Sequence, residues 1–97
     1  MGALVFEWDE AKNRANRKKH GVSFEEARTA FLDENARLVA DPDHSEDESR
    51  FILLGLSIRL RLLVICHRYR QPSDAIRIIS ARRADLSEQR DYARYLK

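Results

Sequence analysis

The chain has a single cysteine, Cys66, set in the apolar run "LLVIC", so no disulfide forms within it. An unpaired thiol among apolar residues fits a reducing compartment, and the expected location is the cytoplasm. Glycine is scarce, with three residues at positions 2, 21 and 55, which leaves no glycine-rich loop to cradle a nucleotide phosphate. No cysteine–histidine set has zinc spacing, and neither a metal nor a cofactor is expected. No apolar run approaches the roughly 20 residues that cross a bilayer. The opening "MGALVFEWDE" has no basic segment ahead of an apolar one, and no Ser or Thr placed to make Gly2 a myristoylation candidate. A soluble chain with no membrane partner is expected.

What the sequence does hold is charge, unevenly placed. Of 97 residues, 35% are charged and 43% apolar, a globular balance that predicts one domain over residues 1–97. Residues 1–49 carry 7 Lys/Arg against 12 Asp/Glu, whereas residues 50–97 carry 11 against 4. All but one of the basic residues in the second half are arginine. The planar guanidinium fork matches phosphate better than an ammonium does, so the asymmetry points to a polyanion-binding face.

The pattern along the chain predicts an α+β fold of order β-α-α-β-β-β-β-α. "LVFEW" (4–8) alternates as a short strand, Asp9 caps a helix whose apolar face is Ala11 and Ala15, and Gly21 ends it. Ser23 and Glu26 form a capping box for a second helix, with Phe24, Ala27, Ala30 and Phe31 on one stripe. "ARLVAD" is a strand and "DPDHSEDES" an acidic, mobile loop. "RFILLGLS", "RLRLLVICHRY" and "AIRIIS" are strands with turns near Ile58 and Arg59 and at "RQPSD". Asp85 and Glu88 box the closing helix. Two of the strands are apolar on both faces, so the sheet face away from the paired helices needs a cover from the last helix, a second chain or both. The paired helices read as a hairpin on a sheet rather than a DNA reader, because the second opens with Glu25 and Glu26.

The strongest candidate site is the corner "RIISARRADLSE". Strict alternation puts Arg77 and Arg83 on one face and Arg82 on the other, just before a helix N-terminus that attracts anions. His20 ends the first helix, where it also suits C-terminal capping, and with Lys19 it is a candidate for phosphate contact or proton transfer. His67, near a strand end beside Tyr69, is a second proton-transfer candidate. His44 lies in the acidic loop, which lacks the glycine and spacing of a calcium loop and reads as solvated.

"FEWDEAKNRANRKKHGVSFEEA", "DPDHSEDESRFILLGLS" and "RIISARRADLSEQRDY", in that order across residues 6–95, resemble the BrnT family of toxins. The resemblance implies a RelE-like fold: a mostly antiparallel four- to five-stranded sheet, with a helical hairpin on one face and a C-terminal helix. It implies an endoribonuclease that inhibits translation, acting without metal by 2′-hydroxyl attack on the adjacent phosphate. It also implies a BrnA-type ribbon-helix-helix antitoxin, operator DNA bound only through the antitoxin complex, and repression of the pair's own operon. Arg82, Arg83, His20 and His67 are then the candidate catalytic residues. Arg77, Lys19 and Arg50 are the candidate RNA contacts, with Glu48 beside Arg50 a further possibility. The competing reading is a non-catalytic module that binds nucleic acid or protein.

Overall fold

The computed structural model describes residues 4–44, 46, 49–70, 75–94 and 96. The expected turn at "RQPSD" and part of the acidic loop, Glu48 included, lie outside those residues, apart from the backbone of Arg70.

The element order is the expected one: β1 (Phe6–Glu7), α1 (Glu10–His20), α2 (Phe24–Thr29), β2 (Arg37–Ala40), β3 (Arg50–Leu56), β4 (Leu62–Arg70), β5 (Ala75–Arg83) and α3 (Leu86–Arg94). Short 3₁₀ turns at Ala30–Leu32 and Pro42–His44 follow α2 and β2. The sheet runs β1-β5-β4-β3-β2. β2 to β5 pair antiparallel, while β1 runs parallel to β5 through Phe6–Ile76 and Glu7–Arg77.

The local signals act as the residues require. Asp9 accepts from the Ala11 and Lys12 amides, and Gly21 closes α1 at φ 70° with its N–H on the Arg17 carbonyl. The Ser23 hydroxyl accepts from the Glu26 amide. Glu26 does not reach back to complete that box; its carboxylate instead takes the Arg61 guanidinium and the Ser57 hydroxyl. Asp85 and Glu88 do close a reciprocal box, each accepting the other's amide at 2.8 Å.

The core joins Val22, Phe24, Ala27 and Ala30 to Leu53, Leu63, Ile65, Ile78 and Ala81. At Gly55 on β3, an added Cβ would stand 2.9 Å from the Ala30 carbonyl oxygen. Glycine there lets the helical layer lie directly on the sheet.

The packing face of α1 differs from the sequence reading. Ala11 and Ala15 are exposed, whereas Asn13 and Asn16 are buried. Asn16 donates to the carbonyls of Val22 and Ala81 at 2.8 and 2.7 Å and accepts from the Ala81 amide. Beyond the two-residue β1, no strand among the described residues neighbours that amide and carbonyl of β5, and Asn16 satisfies them. Asn13 accepts from the Phe24 amide and donates to Glu25. Helix and sheet are therefore joined by amides where small apolar residues were expected.

The opposite sheet face carries Ile52, Leu54 and Val64, partly roofed by α3. Tyr92 of α3 donates to Asp33 at 2.6 Å, and the same carboxylate oxygen accepts the Leu56 amide, which ties the helix to the β3 end. Among the described residues, no helix is long and apolar enough to cross a membrane.

Candidate active site on the open sheet face

Strand register decides which side chains share the face under α3. Ile52, Cys66 and Ser80 form one row across β3, β4 and β5, and Leu54, Val64 and Arg82 form the next. On the other side of the Cys66 row lie Arg50, Arg68 and Arg77. Arg77 arrives there through an irregularity: Cys66 pairs with Ser80 but His67 pairs with Ile78, which leaves Ile79 as a surplus residue. The bulge reverses the alternation, so Arg77 and Arg82 share a face that strict periodicity denies them. Arg83, paired with Leu63, falls on the other side.

A cavity of about 240 Å³ opens on this face, lined by His20, Asp41, His44, Arg50, Cys66, Ser80 and Arg82, among others. His20 enters from the end of α1 beside β5, and Asp41 and His44 from the turn after β2. Three of the sequence candidates, His20, Arg50 and Arg82, therefore meet in one place although 30 or more residues separate each from the next. Arg82 also borders an adjoining groove of about 360 Å³ with Val39, Ile52, Leu54 and Val64 as its apolar floor and Arg37 and Arg94 on its rim.

Arg82 is held end-on by Glu88: Nη1 and Nη2 each donate at 2.8 Å to one carboxylate oxygen. Nη1 also reaches the Arg83 carbonyl at 3.3 Å. The remaining donors, Nε–H and the second Nη2–H, form the side fork of the guanidinium. The side chain as a whole is 44% exposed and borders both cavities. The Arg82 guanidinium keeps the Glu88 carboxyl below its ordinary pKa, against the effect of burial.

Arg50 lies against the other wall, with Nη2 3.1 Å from the Cys66 sulfur and Nε 3.4 Å from Asp41. Burial opposes a charge on Asp41, but the Asp43 amide, the Cys66 thiol and the His44 ring outweigh it and hold this carboxyl below its usual value. Cys66 is half-buried at the cavity wall rather than enclosed in the core, and burial pushes its thiol pKa up.

The other sequence candidates lie elsewhere. His67 is fully buried among the rings of Phe31, Phe51 and Tyr69. Its Nδ1 is 3.2 Å from the Ile65 carbonyl, which only accepts, so Nδ1 carries the hydrogen. Burial drives its pKa down. It is a core residue with no route to the cavity, and the proton-transfer role expected of it has no geometric basis. Arg83 lines a separate cavity with Leu60, Arg61 and Tyr92. Lys19 is exposed on the last turn of α1, next to the cavity residue His20 but not itself lining it. Arg77 pairs with Glu7 at 3.7 Å, half-exposed at the β1 side of the face.

Sequence reasoning missed Asp41 and His44: the carboxylate is buried and joined to the partly exposed ring at 3.2 Å. The available signal was the i, i+3 spacing of Asp and His around Pro42, directly after a predicted strand. Among the described residues, no group of three or more His, Cys, Asp or Glu side chains is placed to hold a metal ion.

An α+β domain with guanidiniums and imidazoles converging on an open sheet face is suited to a phosphodiester, and comparison with known proteins gives that class a name. Residues 8–88 match the model of a family described as the ribonuclease toxin, BrnT, of type II toxin–antitoxin systems. The chain belongs to the BrnT family, and its role is that of the toxin in such a pair. Its fold is similar to that of the Brucella abortus ribonuclease toxin BrnT, known from a crystal structure, with a TM-score of 0.65 and 22% identity over 86% of this chain and 99% of that one. A search of the curated proteins returned no match.

Proposed function

We propose that this chain is an endoribonuclease that cuts RNA at the cavity on the open sheet face, without a metal ion, and thereby inhibits translation in the cytoplasm. The observation that carries the reading is the convergence of His20, Arg50 and Arg82, from α1, β3 and β5, on one cavity. Transesterification by the 2′-hydroxyl needs proton transfer and compensation of the charge on the pentacovalent phosphorane. The side fork of Arg82 and the guanidinium of Arg50 supply positive charge, and His20 supplies a proton. RNA brings its own nucleophile, which excludes DNA as a substrate for the same step. Arg77 and Arg68 extend the cationic row away from the cavity, where the phosphates of a longer strand would lie.

Neutralisation falls to a BrnA-type antitoxin with a ribbon-helix-helix domain, and the pair represses its own operon through that domain. The apolar floor of the groove beside Arg82, with Val39 exposed and Ile52 and Leu54 only partly covered to one side of α3, supports a protein cover over this face.

Purified protein incubated with RNA in EDTA is expected to give products ending in 2′,3′-cyclic phosphate. Arg82→Ala is expected to lower the rate by roughly 10²-fold, whereas Arg83→Ala, altered on the far face, leaves most of it. Cleavage that stops in EDTA sinks the metal-free mechanism. Salt-sensitive RNA binding without product favours the non-catalytic module instead, for which the engagement of Arg82 by Glu88 is the supporting observation.

A further inference from the structure

Transesterification of RNA moves two protons: one leaves the 2′-hydroxyl and one reaches the departing 5′-oxygen. Of the three histidines in the chain, His67 is sealed in the core, and the other two, His20 and His44, line the same cavity. They approach from opposite sides. His20 comes from α1, which packs along β5, and His44 from the turn after β2, on the β3 side, with Val64 and Cys66 of β4 between them.

The two imidazoles are supported differently. His44 has its Nδ1 3.2 Å from Oδ2 of Asp41. Asp41 is itself fixed: its side chain is 5% exposed, its Oδ1 accepts the Asp43 amide at 3.0 Å, and its Oδ2 lies near Arg50 and the Cys66 thiol. Its backbone N–H donates to the Arg50 carbonyl, and its own carbonyl accepts from the His44 amide, so strand pairing and the 3₁₀ turn set the distance between carboxylate and ring. A carboxylate accepts only, so Nδ1 of His44 carries the hydrogen, and in the neutral ring Nε2 presents a lone pair. The side chain is 43% exposed, which leaves that nitrogen reachable from the cavity.

We propose that His44, oriented by Asp41, is the base that takes the 2′-hydroxyl proton, and that His20 on the opposite side donates the proton to the 5′-oxygen. The inference rests on the ribonuclease reading above. The 2′-oxygen forms a bond to phosphorus as its proton passes to Nε2 of His44. The bond from phosphorus to the 5′-oxygen then breaks, and that oxygen takes a proton from His20. The products are a 2′,3′-cyclic phosphate and a free 5′-hydroxyl, and no co-reactant is consumed. Asp41 touches no reacting atom and is a positioning residue.

The test compares wild type, His44→Ala, His44→Gly and His20→Ala on an RNA whose cut site has been mapped with the wild type. His44→Ala is expected to lose roughly 10²–10⁴-fold in rate while keeping its melting temperature and RNA affinity. Added imidazole is expected to restore part of the activity of His44→Gly, which loss of a merely structural contact would not allow. An RNA with sulfur in place of the bridging 5′-oxygen loses a thiolate that needs no proton; on it His20→Ala is expected to recover and His44→Ala to stay impaired. Wild-type cleavage with an equally fast His44→Ala overturns the proposal alone, as does a loss that imidazole leaves untouched or a reversed pattern on the sulfur substrate. RNA left whole by the wild type overturns the ribonuclease reading itself.

Discussion

His67 shows how a residue type suited to catalysis takes a different role once its neighbours are fixed. Strand alternation puts it with Leu63 and Ile65 on the core side of β4, where Phe31 meets it edge-on at 4.9 Å. A neutral ring is tolerated there, and a charged one is not, because its Nε2 is buried without a hydrogen-bond partner. The folded pKa therefore lies below the unfolded value of about 6.5. As pH falls below that value the unfolded chain takes up a proton that the native chain refuses, so stability declines. Urea melts between pH 7 and 5 are expected to show this decline in the wild type and a flatter line in His67→Leu. The two other histidines could be told apart only by where Asp41 lies. Sequence placed His20 at a helix end; for His44 the i, i+3 spacing to Asp41 was legible, but the burial of that carboxylate by β2–β3 pairing was not.

At the scale of elements, capping and turn chemistry were legible in the sequence. Asp9, Gly21, Ser23 and the Asp85–Glu88 pair sit where the helices begin and end. Hydrophobic periodicity recovered α2 and the strands but failed on α1, whose buried positions are asparagines. An amide there does what a methyl group cannot: it satisfies backbone groups left over where β1 ends. Asn16→Ala removes a donor shared by two carbonyls and the acceptor of the Ala81 amide. The expected loss is about 3 kcal/mol, measured by chemical denaturation, with Ala15→Ser, altered at an exposed position, as an almost neutral control. The length and direction of β1 were also beyond the sequence reading, because a two-residue parallel pair is decided by the neighbouring strand.

For the whole molecule, acid is the sensitive direction. Glu26, Asp33, Asp41 and Glu88 all have folded pKa values below their ordinary ones, for separate reasons: Arg61 for Glu26, Arg82 for Glu88, and hydrogen bonds that outweigh burial for Asp33 and Asp41. Their contribution is complete above the unfolded values near ~4 and disappears as pH falls through the lower folded ones. A steep loss of melting temperature below about pH 4 is therefore expected, and Glu26→Gln should make it shallower while lowering stability at pH 7. The bulge at Ile79 has a consequence of a different kind. Because β5 is read in one phase before that residue and in the other after it, flattening the bulge with the sequence unchanged would keep every arginine and scramble their allegiance. Arg77 would turn inward, toward the cluster of aromatic rings, and the cationic row would be cut in two. Among natural variants of this chain, loss of the surplus residue Ile79 should therefore be tolerated, whereas a one-residue deletion inside β3, which has no bulge to absorb it, should be absent.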